Sequence, residues 1–213
     1  MALSLTDYKP EYWDKACKAL VSRDRILRRI IPQYSDEWLQ PPLSDYASLA
    51  RIVLGQQSSA RAADKLWQKF IARFGNPPCP LKLHEMVSSG LVVPDVPKRK
   101  GRYIAGLAEY FVSHGAKLPC WRKLDNEEVI HKLSQIQGVG RWTAELFLIF
   151  NLHRPNVLPL EDASLNRAIS LHYFSGEPVT RFDVREVAQA WGPWSTVAAW
   201  YLWRSLDPLA VRF

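Results

Sequence analysis

The chain has 213 residues, with 28 Lys or Arg against 21 Asp or Glu and a formal net charge of +7. Hydrophobic residues make up 47% and charged residues 23%, a globular balance that excludes general disorder. The length suits one domain or two small ones, and the basic excess suits an anionic partner such as nucleic acid or simply a mildly basic soluble protein.

The hydrophobic pattern predicts helices almost throughout. Residues 14–30 place Ala16, Leu20, Ile26, Leu27 and Ile30 at three- and four-residue spacings. Asp45 is a candidate N-cap for a helix through Leu49, Ile52, Val53 and Leu54, which ends at Gly55-Gln56-Gln57-Ser58-Ser59. A further helix carries Ala62, Ala63, Leu66, Trp67, Phe70 and Ile71 and stops at Gly75-Asn76-Pro77-Pro78. Prolines punctuate 76–99, where short helices fit. Lys98-Arg99-Lys100, with Arg102, opens a helix through Ile104, Leu107, Ala108 and Phe111. Residues 125–135 read as a helix with a capping box, Asp125 and Glu128, and an inner face of Val129, Ile130 and Leu133. Gly138-Val139-Gly140 breaks the chain before a helix through Trp142, Leu146, Phe147, Ile149 and Phe150. Residues 156–162 form a loop, and the last helices run over about 164–173 and 183–204, the latter bent at Gly192-Pro193. No period-2 run with hairpin turns appears, so the class is all-α.

Cys17, Cys79 and Cys120 are odd in number and far apart, which supports neither a disulfide framework nor a zinc or four-cysteine iron–sulfur site. The apolar run around Leu146–Phe150 is far short of the ~20 residues that span a bilayer, and the N-terminal stretch lacks a signal-peptide pattern. An intracellular protein without a membrane partner is expected.

Two stretches carry chemistry. In Leu133-Ser134-Gln135-Ile136-Gln137-Gly138-Val139-Gly140-Arg141-Trp142-Thr143-Ala144 one helix ends, a Gly-x-Gly turn follows, and another helix begins. Glycine permits the sharp turn and close approach of a ligand, and the new helix offers unpaired N–H groups to a phosphate. An ordinary glycine-capped turn is the plainer reading. In Leu158-Pro159-Leu160-Glu161-Asp162-Ala163-Ser164-Leu165, a carboxylate beside a phosphate-binding turn is badly placed to bind DNA itself. Asp162 can equally cap the helix that follows.

The first stretch closely resembles the helix–hairpin–helix motif, a sequence-independent binder of the DNA backbone. With the Pro-x-x-Asp loop it resembles the helix–hairpin–helix–Gly/Pro-Asp superfamily of base-excision DNA glycosylases. Ile52-Val53-Leu54-Gly55-Gln56-Gln57-Ser58-Ser59-Ala60, and Trp191-Gly192-Pro193-Trp194 followed by Ala198, Trp200, Leu202, Trp203 and Arg204, narrow the resemblance to the 3-methyladenine DNA glycosylase II, or alkylpurine, branch. It covers about residues 20–206.

The resemblance implies two all-α lobes, expected as 1–75 packed with 176–213, and 76–175 holding the hairpin (133–145) and the loop (156–163). It makes Asp162 the catalytic carboxylate, although Glu161 replaces the family's usual small residue before it. Trp142 and Trp203 are implied as base-pocket residues, with core packing as the alternative, and Leu146 stands where the family often has a tyrosine. Gln57, with Ser58 second, is the candidate wedge that fills the gap left by a flipped base. Gln56 and Gln57 can otherwise merely bond backbone between helices. The N–H groups of Gly138, Gly140 and Thr143 are implied phosphate contacts. Lys98, Arg99 and Lys100 are further candidates, or else a solvated surface run. The main-chain carbonyls of Ser134, Ile136 and Val139 are the implied ligands of a structural Na+ or K+, and no other cofactor is required. Trp142 occupies the position of the nucleophilic lysine of bifunctional members, and no lysine follows Lys132, so a monofunctional glycosylase without β-lyase activity is expected. Its partner would be double-stranded DNA with alkylated bases, and it would act as a monomer. Deaminated, etheno or mismatched bases are an alternative substrate class, and a non-catalytic binder of damaged DNA is an alternative of another kind.

Overall fold

The computed structural model describes residues 8–115 and 118–211. The first seven residues of the stretch read for a targeting signal lie outside them. The regular structure of the described residues is all helical, with no strand among them.

In chain order the helices are α1 (Trp13–Arg23), α2 (Leu27–Ile30), α3 (Asp45–Gly55), α4 (Ala60–Phe74), α5 (Pro80–Ser88) and α6 (Lys98–His114). They continue with α7 (Asn126–Leu133), α8 (Arg141–Phe150), α9 (Ala163–Tyr173), α10 (Arg181–Ala188) and α11 (Ser195–Leu206). Side-chain caps fix many of the starts. Ser59 caps α4 through Ala62 N–H, and both halves of the Asp125–Glu128 capping box form at α7. A second capping box, Thr180–Asp183, opens α10.

Three expectations change. Ser44, not Asp45, is the N-cap of α3: its hydroxyl accepts Ala47 N–H at 3.4 Å and Asp45 is the first helical residue. The periodic run 14–30 is two helices, because Asp24 leaves α1 in an extended conformation and its carboxylate turns to cap α2. The run 183–204 is likewise two helices, α10 and α11. A 3-10 turn at Gln189–Trp191 and the Gly192-Pro193 pair separate them, and proline can supply no N–H to a continuous helix.

The described residues divide into two compact units, one of residues 8–41 and 153–211 and one lying within 42–152. This differs from the expected boundaries. Helix α3 packs on α4, α6 and α8, and α5 packs on α6. The proline-rich 76–99 therefore connects helices within one unit, and α3 and α4 belong with the hairpin. The 156–163 loop belongs with α9, which packs on α11.

The unit that holds α1 and α9–α11 has an aromatic core. Trp13, Trp191, Trp200 and Tyr201 are fully buried, with Trp13 and Trp200 edge to face at 5.4 Å. Asp24, also buried, accepts Ile26 and Leu27 N–H on Oδ1, and Tyr173 Oη–H (2.7 Å) and Trp191 Nε1–H (3.0 Å) on Oδ2. Four donors satisfy this carboxylate, so its burial is compensated. It also keeps the Tyr173 hydroxyl protonated, since burial and the adjacent negative charge both push that group up. The other unit buries Ile52, Leu54, Phe70, Leu107 and Phe147 among its helices. Six of the nine tryptophans are buried, so core packing is the rule for this residue type here, and Trp38, Trp142 and Trp194 are the half-exposed ones.

Candidate DNA interface and catalytic carboxylate

In the 42–152 unit, α7 runs into the hairpin through Ser134 N–H to Ile130 O (2.9 Å), and Val139 N–H to Ile136 O (3.0 Å) closes the turn. Gly138 has φ +87°, and a Cβ there would lie 2.2 Å from the Tyr103 ring. Both the backbone and the space demand glycine. Gly140 is different. Its φ is −94°, and a Cβ would meet nothing within 4 Å. The fold does not require glycine at this exposed position, which suits a close approach from outside. Gly140 is also the N-cap of α8 and has no side chain to bond the first N–H groups of that helix. Arg141 fastens the two hairpin helices through Glu127 (2.5 Å) and Glu145 (3.4 Å). Its hydrogen bond holds the Glu127 carboxyl below the usual range.

The turn between α3 and α4 meets this hairpin. Gln56 Nε2 donates to Gly138 O at 2.8 Å and to Thr143 Oγ1 at 2.9 Å, so Gln56 is the inter-helix tie that the plainer reading expected. Gln57 is not. It is exposed, its backbone sits at φ +53°, and its side-chain oxygen accepts a hydrogen bond from Arg99 Nη2. Gln56, Gln57, Arg99, Tyr103 and the hairpin line one open depression.

Helix α6 supplies a second correction. Lys98 and Arg99 are exposed, but Lys100 is 7% exposed and points inward. Its ammonium donates to Leu54 O at 2.6 Å and Ser58 Oγ at 2.8 Å. Desolvation, and then the neighbouring Arg99, pull its pKa down. Lys100 is therefore not a surface phosphate contact, and Ser58, the second wedge candidate, is exposed but has its hydroxyl held by Lys100. A signal for this was present: Lys100 lies on the same helical stripe as Ile104, Leu107 and Phe111. Tyr103 had no local signal. Thr143 is 1% exposed and engaged with Gln56, whereas Trp142, beside it, is half-exposed near the start of α8.

The cation ligands implied at the hairpin are neutral carbonyl oxygens on one turn, a donor set that fits a monovalent ion. Ile136 O also accepts Val139 N–H and has its second lone pair for a cation. Among the described residues no group of three or more His, Cys, Asp or Glu is arranged to hold a metal.

In the other unit Asp162 is the N-cap of α9. Its Oδ1 accepts Leu165 N–H at 2.6 Å and Trp203 Nε1–H at 2.9 Å. The residue is 7% exposed. The cap reading of Asp162 thus holds, and the same carboxylate is buried and fixed by two N–H donors. Glu161, by contrast, is exposed and pairs with Arg181. Trp203 is 2% exposed, so what it directs at the site is its N–H rather than an open ring face. Leu146 is buried.

A helical chain with a Gly-x-Gly hairpin whose outer glycine the fold leaves open, and a separate capping aspartate held by an indole, has the parts of a base-excision repair protein. Residues 50–193 match the model of the HhH-GPD superfamily base excision DNA repair proteins, and the chain belongs to that superfamily. It is 32% identical to DNA-3-methyladenine glycosylase 1 of Schizosaccharomyces pombe over 90% of this chain and 82% of that protein. It is 30% identical to the DNA-3-methyladenine glycosylase of Saccharomyces cerevisiae over 79% of this chain and 62% of that one. The solved structure of the S. pombe Mag1 3-methyladenine DNA glycosylase in complex with abasic DNA superposes with a TM-score of 0.74 and 29% identity, covering 90% of this chain and 96% of that one. A DNA-3-methyladenine glycosidase from Bacillus halodurans superposes with a TM-score of 0.69 and 28% identity, covering 100% and 96%.

Proposed function

We propose that the protein is a monofunctional DNA glycosylase that hydrolyses the N-glycosidic bond of alkylated purines, of the 3-methyladenine and 7-methylguanine class, in base-excision repair. The carrying observation is the buried Asp162 carboxylate, held by two N–H donors on one oxygen, in a chain whose relatives are named 3-methyladenine glycosylases.

The target base must leave the stack to be reached, and Gln57, exposed on its left-handed turn, fills the space it leaves. Alkylation makes the purine cationic and a good leaving group. Such a base gains about 0.5–2 kcal/mol over an aromatic face, the role proposed for the half-exposed Trp142. As the bond breaks, positive charge grows on the sugar, and the Asp162 carboxylate stabilises it and orients or deprotonates the attacking water. The DNA backbone is taken by N–H groups at Gly138 and Gly140, with Lys98 and Arg99 adding positive charge. A Na+ or K+ on the carbonyls of Ser134, Ile136 and Val139 would add a positive charge beside the phosphate.

The test is incubation with methylated duplex DNA and chromatography of released bases, with Asp162→Asn alongside. Release of 3-methyladenine or 7-methylguanine by the wild type alone supports the reading. Binding without release points to a binder only. Release by both proteins removes Asp162 from the chemistry.

A further inference from the structure

We propose that Lys100 is a positioning residue for Gln57, holding the α3–α4 turn in the shape that presents the wedge. The proposal rests on the reading of Gln57 given above. A non-glycine residue at φ +53° persists only where its surroundings over-determine it. Lys100 does so from both sides of the turn, since Leu54 and Ser58 bracket residues 55–57. The same face of α6 holds the rest. Arg99 bonds the Gln57 side chain, and Tyr103, one turn on, covers Gly138, whose carbonyl takes Gln56. The first two turns of α6 thus clamp the wedge turn and the phosphate-binding turn to each other.

The choice of lysine supports this role. Both oxygens it meets are neutral, and a buried ammonium on neutral acceptors carries a desolvation cost that an apolar residue on the same stripe would avoid. What lysine adds is a cation at the C-terminal carbonyl end of α3 and a second arm to Ser58. Its work is to aim Gln57 before DNA arrives, which lowers the ordering cost of insertion.

The experiment uses the full chain and a duplex with 2-aminopurine beside a tetrahydrofuran abasic analogue. Fluorescence reports unstacking without requiring chemistry, and anisotropy on the same duplex reports affinity. Wild type should raise the fluorescence. Lys100→Met and Gln57→Ala should each lose most of that rise with affinity little changed, and the double variant should add nothing to either. With a methylated substrate, Lys100→Met should release base about tenfold more slowly from a paired lesion and at an unchanged rate from the same lesion in an unpaired bulge. Wild-type fluorescence from Lys100→Met, or fluorescence and affinity falling in parallel, overturns the proposal. If Lys100→Met does not fold, Ser58→Ala decides: partial loss of the signal supports the clamp and an unchanged signal refutes it. A wild-type insertion signal without base release removes the glycosylase reading and leaves this one standing. Base release without an insertion signal does the reverse.

Discussion

Trp203 donates its indole N–H to the same Asp162 oxygen, Oδ1, that caps helix α9 through Leu165. The two bonds fix the carboxyl plane from the helix start and from α11 at once. An asparagine whose amide oxygen sits at Oδ1 keeps both. Asp162→Asn should therefore cost at most about 1 kcal/mol of stability, because Asn and Asp cap helices about equally well. Base release should fall by about 10²–10⁴-fold, the range for a positioned acid–base group. Urea melts and single-turnover release measure the two separately, and equal loss in both would reduce Asp162 to a cap.

Removing the other partner tests the aiming. Trp203→Phe keeps an aromatic ring in a 2% exposed site but deletes the donor. We expect a stability loss of about 1–3 kcal/mol and a fall in kcat with KM nearly unchanged, since the lost bond orients the carboxylate rather than the substrate. A rise in KM alone would instead make Trp203 part of the binding surface.

The hairpin glycines should separate fold from ligand. Gly138→Ala places a Cβ 2.2 Å from the Tyr103 ring on a left-handed backbone and should destabilise by about 2–4 kcal/mol. Gly140→Ala meets no atom within 4 Å and should melt like the wild type, yet weaken binding to undamaged duplex in anisotropy. Normal binding by Gly140→Ala would mean that DNA does not approach there.

His172 gives a pH dependence. It is half-buried, 2.8 Å from Ser205 Oγ, and desolvation followed by the Arg29 charge pulls its pKa below the ordinary value of 6.5. The unfolded chain then binds more protons than the fold in that window, so stability rises with pH through it. The contribution is complete above about pH 7 and is lost as the pH falls through the ordinary histidine value and below. His172→Gln should flatten the stability profile between about pH 7 and 5 in urea titrations, and an unchanged slope would assign acid sensitivity elsewhere.

What was legible in the sequence follows from how local each signal is. The hairpin, the Asp125 capping box and the Asp162 cap are each specified within a few residues, and all three stand in the structure. Gln56 and Gln57 are adjacent and chemically identical. Only the left-handed backbone at Gln57 sends one inward and the other out, and no neighbouring glycine announces it. Lys100 reads as part of a basic surface run until the Leu54 carbonyl, far away in sequence, is found beside it. The unit boundaries depend on the packing of α3 with α6 and α8 and of α9 with α11, contacts distant in sequence that no local pattern specifies. Asp24 gave no sign of its burial, since its four donors come from four separate residues.

The double duty of Asp162 Oδ1 has an evolutionary consequence. Aspartate and asparagine codons differ by a single transition, and that one change would remove the charge while sparing the helix cap, the indole bond and the hairpin. If Asp162 carries the proposed reaction, a folded descendant without that chemistry lies one nucleotide away from this sequence, so the survival of the aspartate would depend on selection for the reaction and not on the fold.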